Sequence, residues 1–168
     1  MSTKRIANIS MLIALAIIFS YVEVLIPISI GIPGIKLGLA NIVIVIALYS
    51  LNLGDVWMIS IIRIFIIGIM FGNFMSIAYS LSGAVVSLTI MAIIKRANIL
   101  EIMGTSIIGG VSHNIAQLLV AMFVVSNKVV LYYMPVLIIA GVITGAMIGI
   151  LSQRVVNILK DYFFSTYG

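Results

Sequence analysis

The chain has 168 residues, of which 64% are hydrophobic and only 8% are charged, and its mean hydropathy is +1.37. Because a soluble domain carries about 25% charged residues, this composition excludes an ordinary soluble protein; the length allows one domain. The net charge of +5 comes from nine basic residues scattered among apolar runs. They form no patch for nucleic acid and fit the basic bias of membrane-protein loops. The lack of cysteine excludes disulfides, thiol chemistry and thiolate-bound metal.

Six stretches are apolar for long enough to cross a bilayer, which takes about 17 to 25 residues in an α-helix. They cover roughly residues 6–26, 35–52, 56–72, 74–94, 102–125 and 135–153. Glycine, proline, asparagine and charged residues separate them, although the interruption at Gly72-Asn73 is very short. The predicted fold is therefore an all-α integral membrane bundle of six transmembrane helices in a single membrane domain, residues 1–168.

The first apolar run begins after Lys4 and Arg5, as the core of a signal peptide would. A signal peptide has a short apolar core followed by a small-residue cleavage site. Here the run continues to about Ile26 and ends at Pro27. We therefore predict that it is a retained helix.

Basic residues predict the orientation of the bundle, because Lys and Arg are enriched in cytoplasmic loops. They fall mostly on the side of the N-terminus, which carries Lys4, Arg5, Lys95, Arg96, Arg154 and Lys160, whereas the other side carries Lys36 and Lys128. Both termini are therefore predicted to be cytoplasmic, in a multi-pass protein of the cell membrane.

Small residues recur at helical spacing on several spans, and in membranes such stripes let helix backbones approach one another. They comprise Ser10 with Ala14; Ala16 with Ser20 and Glu23; Gly68 with Gly72; Ser76 with Ser80, Gly83 and Ser87; and Gly141 with Gly145 and Gly149. Each stripe is most simply a packing seam. The first helix carries two of them, which suits a helix that contacts its own bundle on one side and a partner on the other.

Charged groups at membrane depth cost at least about 2.5 kcal/mol each, so they are candidates for function. Glu23 and Lys36 lie near the outer ends of their spans and could reach interfacial water. Arg63 lies about 10 Å into the third span by helical rise and needs an acceptor within the bundle. Two readings stay open: a structural pair with Glu23 or bonds to carbonyls, and a ligand-binding role.

His113 lies near the middle of the fifth span, beside Asn114 and one turn before Gln117. Together with Ser106 and Gly110, His113 and Gln117 fall on one helical face, which suggests a lined cavity. A lone histidine is commonly a satisfied interior residue, and that reading stays open. Polar groups at this depth must face protein or water, so one cavity open to the outer side is predicted to contain Lys36, Asn41, Arg63, Ser80, His113, Asn114 and Gln117, with Glu23 as a further member.

Several kinds of chemistry lack the residues they need. The Gly104–Gly109 pair has the spacing of a phosphate-binding loop, but Gly110 stands where lysine is required, so ATP hydrolysis of the usual kind is not expected. Asp55 and Asp161 are each solitary, whereas magnesium-dependent chemistry on a diphosphate needs clustered carboxylates. One histidine without cysteine makes no closed metal site. We expect no enzyme activity, no cofactor and no metal.

The segment Gly34-Ile35-Lys36-Leu37-Gly38-Leu39-Ala40-Asn41 resembles the signature of the Gx transporter family, which is also labelled heptaprenyl diphosphate synthase component I. Further segments match that family in order: Tyr21-Val22-Glu23 before Pro27, Arg63 in the third span, Ser80-Leu81-Ser82-Gly83-Ala84 in the fourth, and Val111-Ser112-His113-Asn114 with Gln117 in the fifth. The resemblance runs from about residue 6 to residue 152, and several separated motifs in one order make it specific.

The family in turn resembles the substrate-binding subunits of energy-coupling factor transporters. That resemblance implies a six-helix protein with both termini inside, which captures a vitamin or similar micronutrient from outside. A membrane coupling subunit and separate cytoplasmic ATPases would drive transport, and small residues on the first helix would dock the coupling subunit. Ser10 and Ala14 are the residues that we place in that docking surface.

Three functions therefore stay open. The first is the substrate-binding subunit of an energy-coupling factor type importer. The second is a self-sufficient small transporter, coupled to protons through His113 and Glu23. The third is a non-catalytic membrane component of isoprenoid or quinone metabolism, as the synthase label implies. The sequence does not identify the ligand, although Lys36 and Arg63 against one Glu23 favour an anionic group.

Overall fold

The computed structural model describes residues 3–26 and 38–167, with side chains as far as residue 159. These residues form six α-helices: α1 (Thr3–Leu25), α2 (Leu39–Ser50), α3 (Leu53–Phe71), α4 (Phe74–Ala97), α5 (Ile102–Val125) and α6 (Met134–Tyr167). A 3-10 helix, Lys128–Tyr133, precedes α6. Five segments are long and apolar enough to cross a membrane, which indicates a multi-pass membrane protein. We call the end of the bundle where α1, α3 and α5 begin proximal, and the opposite end distal.

The six predicted spans correspond to the six helices, and their boundaries follow local capping signals. The fifth span was predicted at its observed bounds, Ile102–Val125. The short break between the third and fourth spans is confirmed, because Asn73 and Ser76 form a reciprocal capping box at the start of α4. The Ser76 amide donates to Asn73 Oδ1 at 2.8 Å, and the Asn73 amide donates to Ser76 Oγ at 2.9 Å.

Two spans differ from their predicted lengths. The second was predicted over 35–52, but α2 begins at Leu39 and has 12 residues, about 18 Å of helix. That length is too short to cross a hydrocarbon core of about 30 Å. The sixth was predicted to end at residue 153, but α6 continues to Tyr167. Arg154 ends the apolar stretch, but a charged residue does not end a helix.

The short helix α2 lies at the centre of the bundle, in contact with α1, α3, α5 and α6. Seven of its twelve residues are buried, so it forms the core around which the longer helices pack. The apolar core joins this helix to residues of α1, α3, α4 and α6, among them Leu12, Ile59, Leu88 and Ile148. Since most of these residues lie in the proximal half of their helices, the bundle is tightly filled there.

Helices α5 and α6 pack against each other more extensively than any other pair in the described chain. The glycine stripe predicted as a seam on the last span lies at this contact. A Cβ atom added to Gly145 would lie 2.7 Å from Ile107 Cα, and one added to Gly149 would lie 2.7 Å from Met103 Cα. Ser106 Oγ also donates to the Gly145 carbonyl at 2.8 Å. The two backbones are therefore in direct contact.

Polar contacts join the helix ends at the proximal side. Arg5 at the start of α1 forms a salt bridge with the buried Asp55 in the first turn of α3, with Nη2 at 2.7 Å from Oδ1 and Nε at 3.0 Å from Oδ2. Lys95 Nζ donates to the Leu48 carbonyl at 2.6 Å and lies 5.4 Å from the centre of the Tyr49 ring. These contacts fix α1 and α4 against the core, and sequence inspection, which treated Asp55 as solitary, missed the first.

Candidate functional site

A cavity of about 200 Å³ occupies the distal half of the bundle, and all six helices contribute to its wall. The distal position follows from its lining, which includes Glu23 near the end of α1, Gly38 before α2 and Phe71 at the end of α3. Ile64 and Ile148, which are buried, lie on its wall toward the filled core. The packed proximal half therefore closes a cavity whose polar residues gather distally.

Seven of the eight residues predicted to form a site line this one cavity, and they are Glu23, Asn41, Arg63, Ser80, His113, Asn114 and Gln117. The eighth, Lys36, lies outside the described residues. The structure thus brings together side chains from α1 to α5 that are up to 94 positions apart in the chain, from Glu23 to Gln117.

Arg63 projects from the middle of α3 into this cavity. Its Nε atom is buried and has no hydrogen-bond partner. Among the described residues no carboxylate oxygen lies within 4.0 Å of its guanidinium group. The guanidinium carries five N–H donors in a planar fork, so it presents a directed set of donors to the cavity.

Glu23 does not form the ion pair with Arg63 that the sequence left open. Its Oε1 atom instead accepts a hydrogen bond from the backbone N–H of Gly38. Gly38 has φ of 72°, in the left-handed region that favours glycine. Glu23 therefore links the end of α1 to the start of α2 at the distal rim. The guanidinium of Arg63 has no carboxylate partner among the described residues.

The fifth helix supplies neutral hydrogen-bonding groups to the cavity wall. Asn114 Nδ2 donates to the Leu137 carbonyl at 2.8 Å, and Gln117 Nε2 donates to the Tyr79 carbonyl at 3.4 Å. Each bond uses one N–H of the amide and orients the side chain, while the amide oxygens receive no hydrogen bond within the described residues. Both side chains can therefore accept a hydrogen bond from a ligand.

His113 lies on the cavity wall directly against Gly83 of α4. A Cβ atom added to Gly83 would lie 2.6 Å from His113 Cε1 and 2.8 Å from both ring nitrogens. Gly83 therefore makes the space in which the imidazole ring lies. The small-residue stripe predicted on the fourth span is in this way explained: Ser76 and Ser80 line the cavity, and Gly83 accommodates the histidine.

A second, much smaller cavity of about 20 Å³ lies next to the first, on its core side. Three serine residues, Ser60, Ser87 and Ser106, contribute to its wall, and Arg63 and Asn41 border both cavities. That volume suits about one water molecule. The polar stripe predicted on the fifth span is thus divided, with Ser106 at the small cavity and His113 and Gln117 at the large one.

Sequence inspection missed several lining residues. Ser20 was assigned to a packing face, and Thr144 of α6 was not singled out, although both line the large cavity. Thr144 Oγ1 donates to the Ala140 carbonyl within its own helix at 2.8 Å, which is ordinary behaviour for a membrane-embedded threonine. Thr144 lies three residues after Gly141, on the helix face that packs against α5, and this spacing was the sequence signal that Thr144 faces the interior of the bundle.

The described residues hold no group of three histidine, cysteine or acidic side chains that could bind a metal ion. Of the acidic residues, Asp55 is paired with Arg5 at the proximal end, and Glu23 is bonded to Gly38 at the distal end. Glu101 precedes α5 at the proximal end and is exposed. Asp55 and Glu101 thus lie toward one end of the bundle and Glu23 lies toward the other.

The two small faces of α1 point in different directions. Ala16 and Ser20 are buried inside the bundle, with exposed fractions of 0% and 7%. Ser10 and Ala14, the predicted docking residues, are exposed. They share their surface with Met11 and Ile18, whose side chains are each 54% exposed. The outward face of α1 is therefore a smooth apolar surface interrupted by small residues.

Comparison with known proteins gives one family. The family model described as heptaprenyl diphosphate synthase component I matches residues 12–155 of the chain. Neither a curated protein nor a solved structure shows a significant match. The matched range includes the described part of the cavity wall on every helix.

Proposed function

Because the chain belongs to the heptaprenyl diphosphate synthase component I family, we propose that it is a non-catalytic membrane subunit of a larger system, and that it captures a small molecule in the distal cavity. More specifically, we propose that the chain is the substrate-binding subunit of an energy-coupling factor type importer. The distal end faces the outside in this account, because the basic residues of the chain gather at the proximal end.

The observation that carries the proposal is the cavity itself. It has a volume of about 200 Å³, a mainly apolar wall into which every helix places at least one polar side chain, and an apolar core behind it. Sites for drug-sized ligands measure about 300–1,000 Å³ and combine an apolar lining with a few convergent polar groups. The cavity has the same character at a smaller size, which favours a compact micronutrient or cofactor precursor.

The acidic residues support a non-catalytic role. The chain has four Asp and Glu residues in total. Among the described side chains, Glu23 is bonded at the distal rim, Asp55 is held in the proximal salt bridge and Glu101 is exposed before α5, and they form no group of three that could hold a metal ion. Prenyl transfer from a diphosphate needs magnesium held by clustered carboxylates, and this arrangement does not provide them.

The description of the family favours a second candidate, a non-catalytic membrane component of prenyl diphosphate metabolism. A long prenyl group is much larger than the cavity of about 200 Å³, so this candidate would require the prenyl group to lie in the bilayer beside the protein. The importer proposal needs no such arrangement, and we prefer it for that reason.

A docking experiment tests the importer proposal. We expect Ser10→Leu and Ala14→Leu to abolish most co-purification with a coupling subunit and its ATPases, expressed together with the chain. A bulky side chain on this exposed face would hold the partner helix away from the backbone that it contacts. Ser10→Ala keeps the small surface and Thr89→Leu adds bulk to the exposed face of α4, so both should co-purify like the parent.

The same variants separate docking from ligand capture. Ser10 and Ala14 do not line the cavity, so any small molecule retained by the parent should also be retained by both leucine variants. Co-purification at the parental level would show that this face of α1 is not the docking surface. Loss of the retained molecule together with the partner would show that the face supports the bundle itself.

A further inference from the structure

Two buried polar atoms in the described side chains have no hydrogen-bond partner, Ser20 Oγ and Arg63 Nε. They belong to different helices, α1 and α3, and both residues line the large cavity. Buried polar groups in native proteins are nearly always hydrogen-bonded. Because both residues line the same cavity, a molecule bound in it is the nearest candidate partner for their polar side chains.

The chemistry of that partner follows from Arg63. A guanidinium group remains charged in proteins and has donors but no acceptor, so its partner must offer acceptor atoms. The neighbouring carboxylate of Glu23 is not within 4.0 Å and is bonded to the Gly38 N–H. Glu23 therefore offsets the charge at a distance, while the N–H fork stays without an acceptor in the described chain.

Water could satisfy single N–H groups, but it would not match the planar fork or place a negative charge against it. A carboxylate or phosphate accepts two parallel hydrogen bonds from a guanidinium group, and such charge-assisted bonds are about twice as strong as neutral ones. The hydroxyl of Ser20 is a donor that can rotate to meet an oxyanion. The neutral amides of Asn114 and Gln117, fixed by Leu137 and Tyr79, supply acceptors on the facing helix.

We infer that the ligand captured in the large cavity is a small molecule that carries an oxyanion, a carboxylate or a phosphate, which Arg63 binds with support from Ser20. The remainder of the molecule lies against the amides of α5, which accept hydrogen bonds from it. This inference rests on the proposed function, because it assigns the substrate class of the same cavity.

A panel of matched small compounds tests the inference. It contains carboxylic acids with their primary amides and phosphate monoesters with their parent alcohols, for example benzoate with benzamide and phenyl phosphate with phenol. Binding is measured as the rise in the melting temperature of the detergent-purified chain. We expect the compounds that stabilise the parent to be oxyanions, and the acid and phosphate arms show which of the two the site prefers.

The variants give the quantitative test. Hydrogen bonds to charged groups contribute about 1.5–3 kcal/mol, so Arg63→Ala should weaken oxyanion binding about 10- to 100-fold. Arg63→Lys keeps the charge without the fork and should recover part of the affinity. Arg154→Ala, at the proximal side, makes the same change in net charge and should bind like the parent. Ser20→Ala provides a second, milder variant, with an expected loss of a few-fold.

Three results would overturn the inference: amides or alcohols that stabilise the parent as well as their charged counterparts, Arg63→Ala binding within about twofold of the parent, or no stabilisation by any oxyanion. If neutral compounds bind instead, and if Ser80→Phe abolishes their binding by filling the cavity, the oxyanion inference fails but the proposed capture function stands. Conversely, failure of the docking experiment would leave the oxyanion site intact.

Discussion

Replacing Gly145 with alanine should be among the most destabilising single changes in this protein, although alanine is the better helix former. The added Cβ would lie 2.7 Å from Ile107 Cα and 2.8 Å from the Ser106 carbonyl oxygen. Both neighbours are backbone atoms, so α5 and α6 would have to separate along their whole contact. Overpacking of this kind costs about 1–3 kcal/mol, and the melting temperature in detergent, followed by the fluorescence of Trp57, should fall clearly.

The matched control is Gly54→Ala. Gly54 is also helical, in the first turn of α3, but an added Cβ would meet nothing within 4 Å. Alanine should be neutral or slightly stabilising there, because alanine is the better helix former and its side chain would meet no neighbouring atom. If Gly145→Ala and Gly54→Ala change the melting temperature in the same direction and by the same amount, the backbones of α5 and α6 are not in direct contact.

A cysteine at Ser80 should react rapidly with a small, charged, membrane-impermeant thiol reagent that is added outside intact cells. Ser80 lines the large cavity on α4, and we propose that the cavity opens to the outside. The chain has no cysteine, so any labelling reports the introduced thiol alone. Serine and cysteine have nearly the same size, so the variant should fold like the parent. The expected result is near-complete labelling within minutes.

Val85→Cys on the same helix is the control. Val85 is 43% exposed on the outer surface of α4 and lines neither cavity, so its thiol should face lipid and stay unlabelled. Labelling of Ser80→Cys only after the cells are opened would reverse the predicted orientation. Equal labelling of both cysteines would mean that α4 is rotated and that its serine stripe does not face the cavity.

Most of the fold could be predicted from the sequence because a membrane imposes a simple rule. A helix must be apolar over the thickness of the bilayer and must satisfy its own backbone, so long apolar runs mark α1, α3, α4 and α5 within a few residues. The rule fails for α2 and α6. Helix α2 is surrounded by protein, so the thickness of the bilayer does not set its length. Helix α6 continues past Arg154 because the rule applies only to the residues within the membrane.

The large cavity could be predicted in part for the same reason. Polar residues within an apolar run cannot face lipid, so Arg63, His113 and Gln117 were expected to face inward, and helical spacing placed His113 and Gln117 on one face of α5. What they bond to could not be predicted, since it depends on distances between helices. Glu23 illustrates this: its charge suggested an ion pair with Arg63, but the adjacent backbone N–H of Gly38 takes its carboxylate.

The salt bridge between Arg5 and Asp55 joins residues 50 positions apart, and no local sequence pattern predicts it. Both residues stand at the proximal start of their helices, which is a condition for the contact but does not select this pair. Ser20 was likewise hidden, because a serine at helical spacing from Ala16 fits a packing seam as well as a cavity wall. Such residues become recognisable only when the neighbouring helix is known.

Native mass spectrometry of the gently purified chain tests the central claim, capture of a small molecule in the distal cavity, most directly. The parent should carry a bound small molecule of one defined mass. Ser80→Phe, which fills the cavity, should lack it, whereas Val85→Phe, which adds the same bulk on the outer surface of α4, should retain it. A parent chain with no bound molecule, or equal occupancy in Ser80→Phe and the parent, would contradict the account.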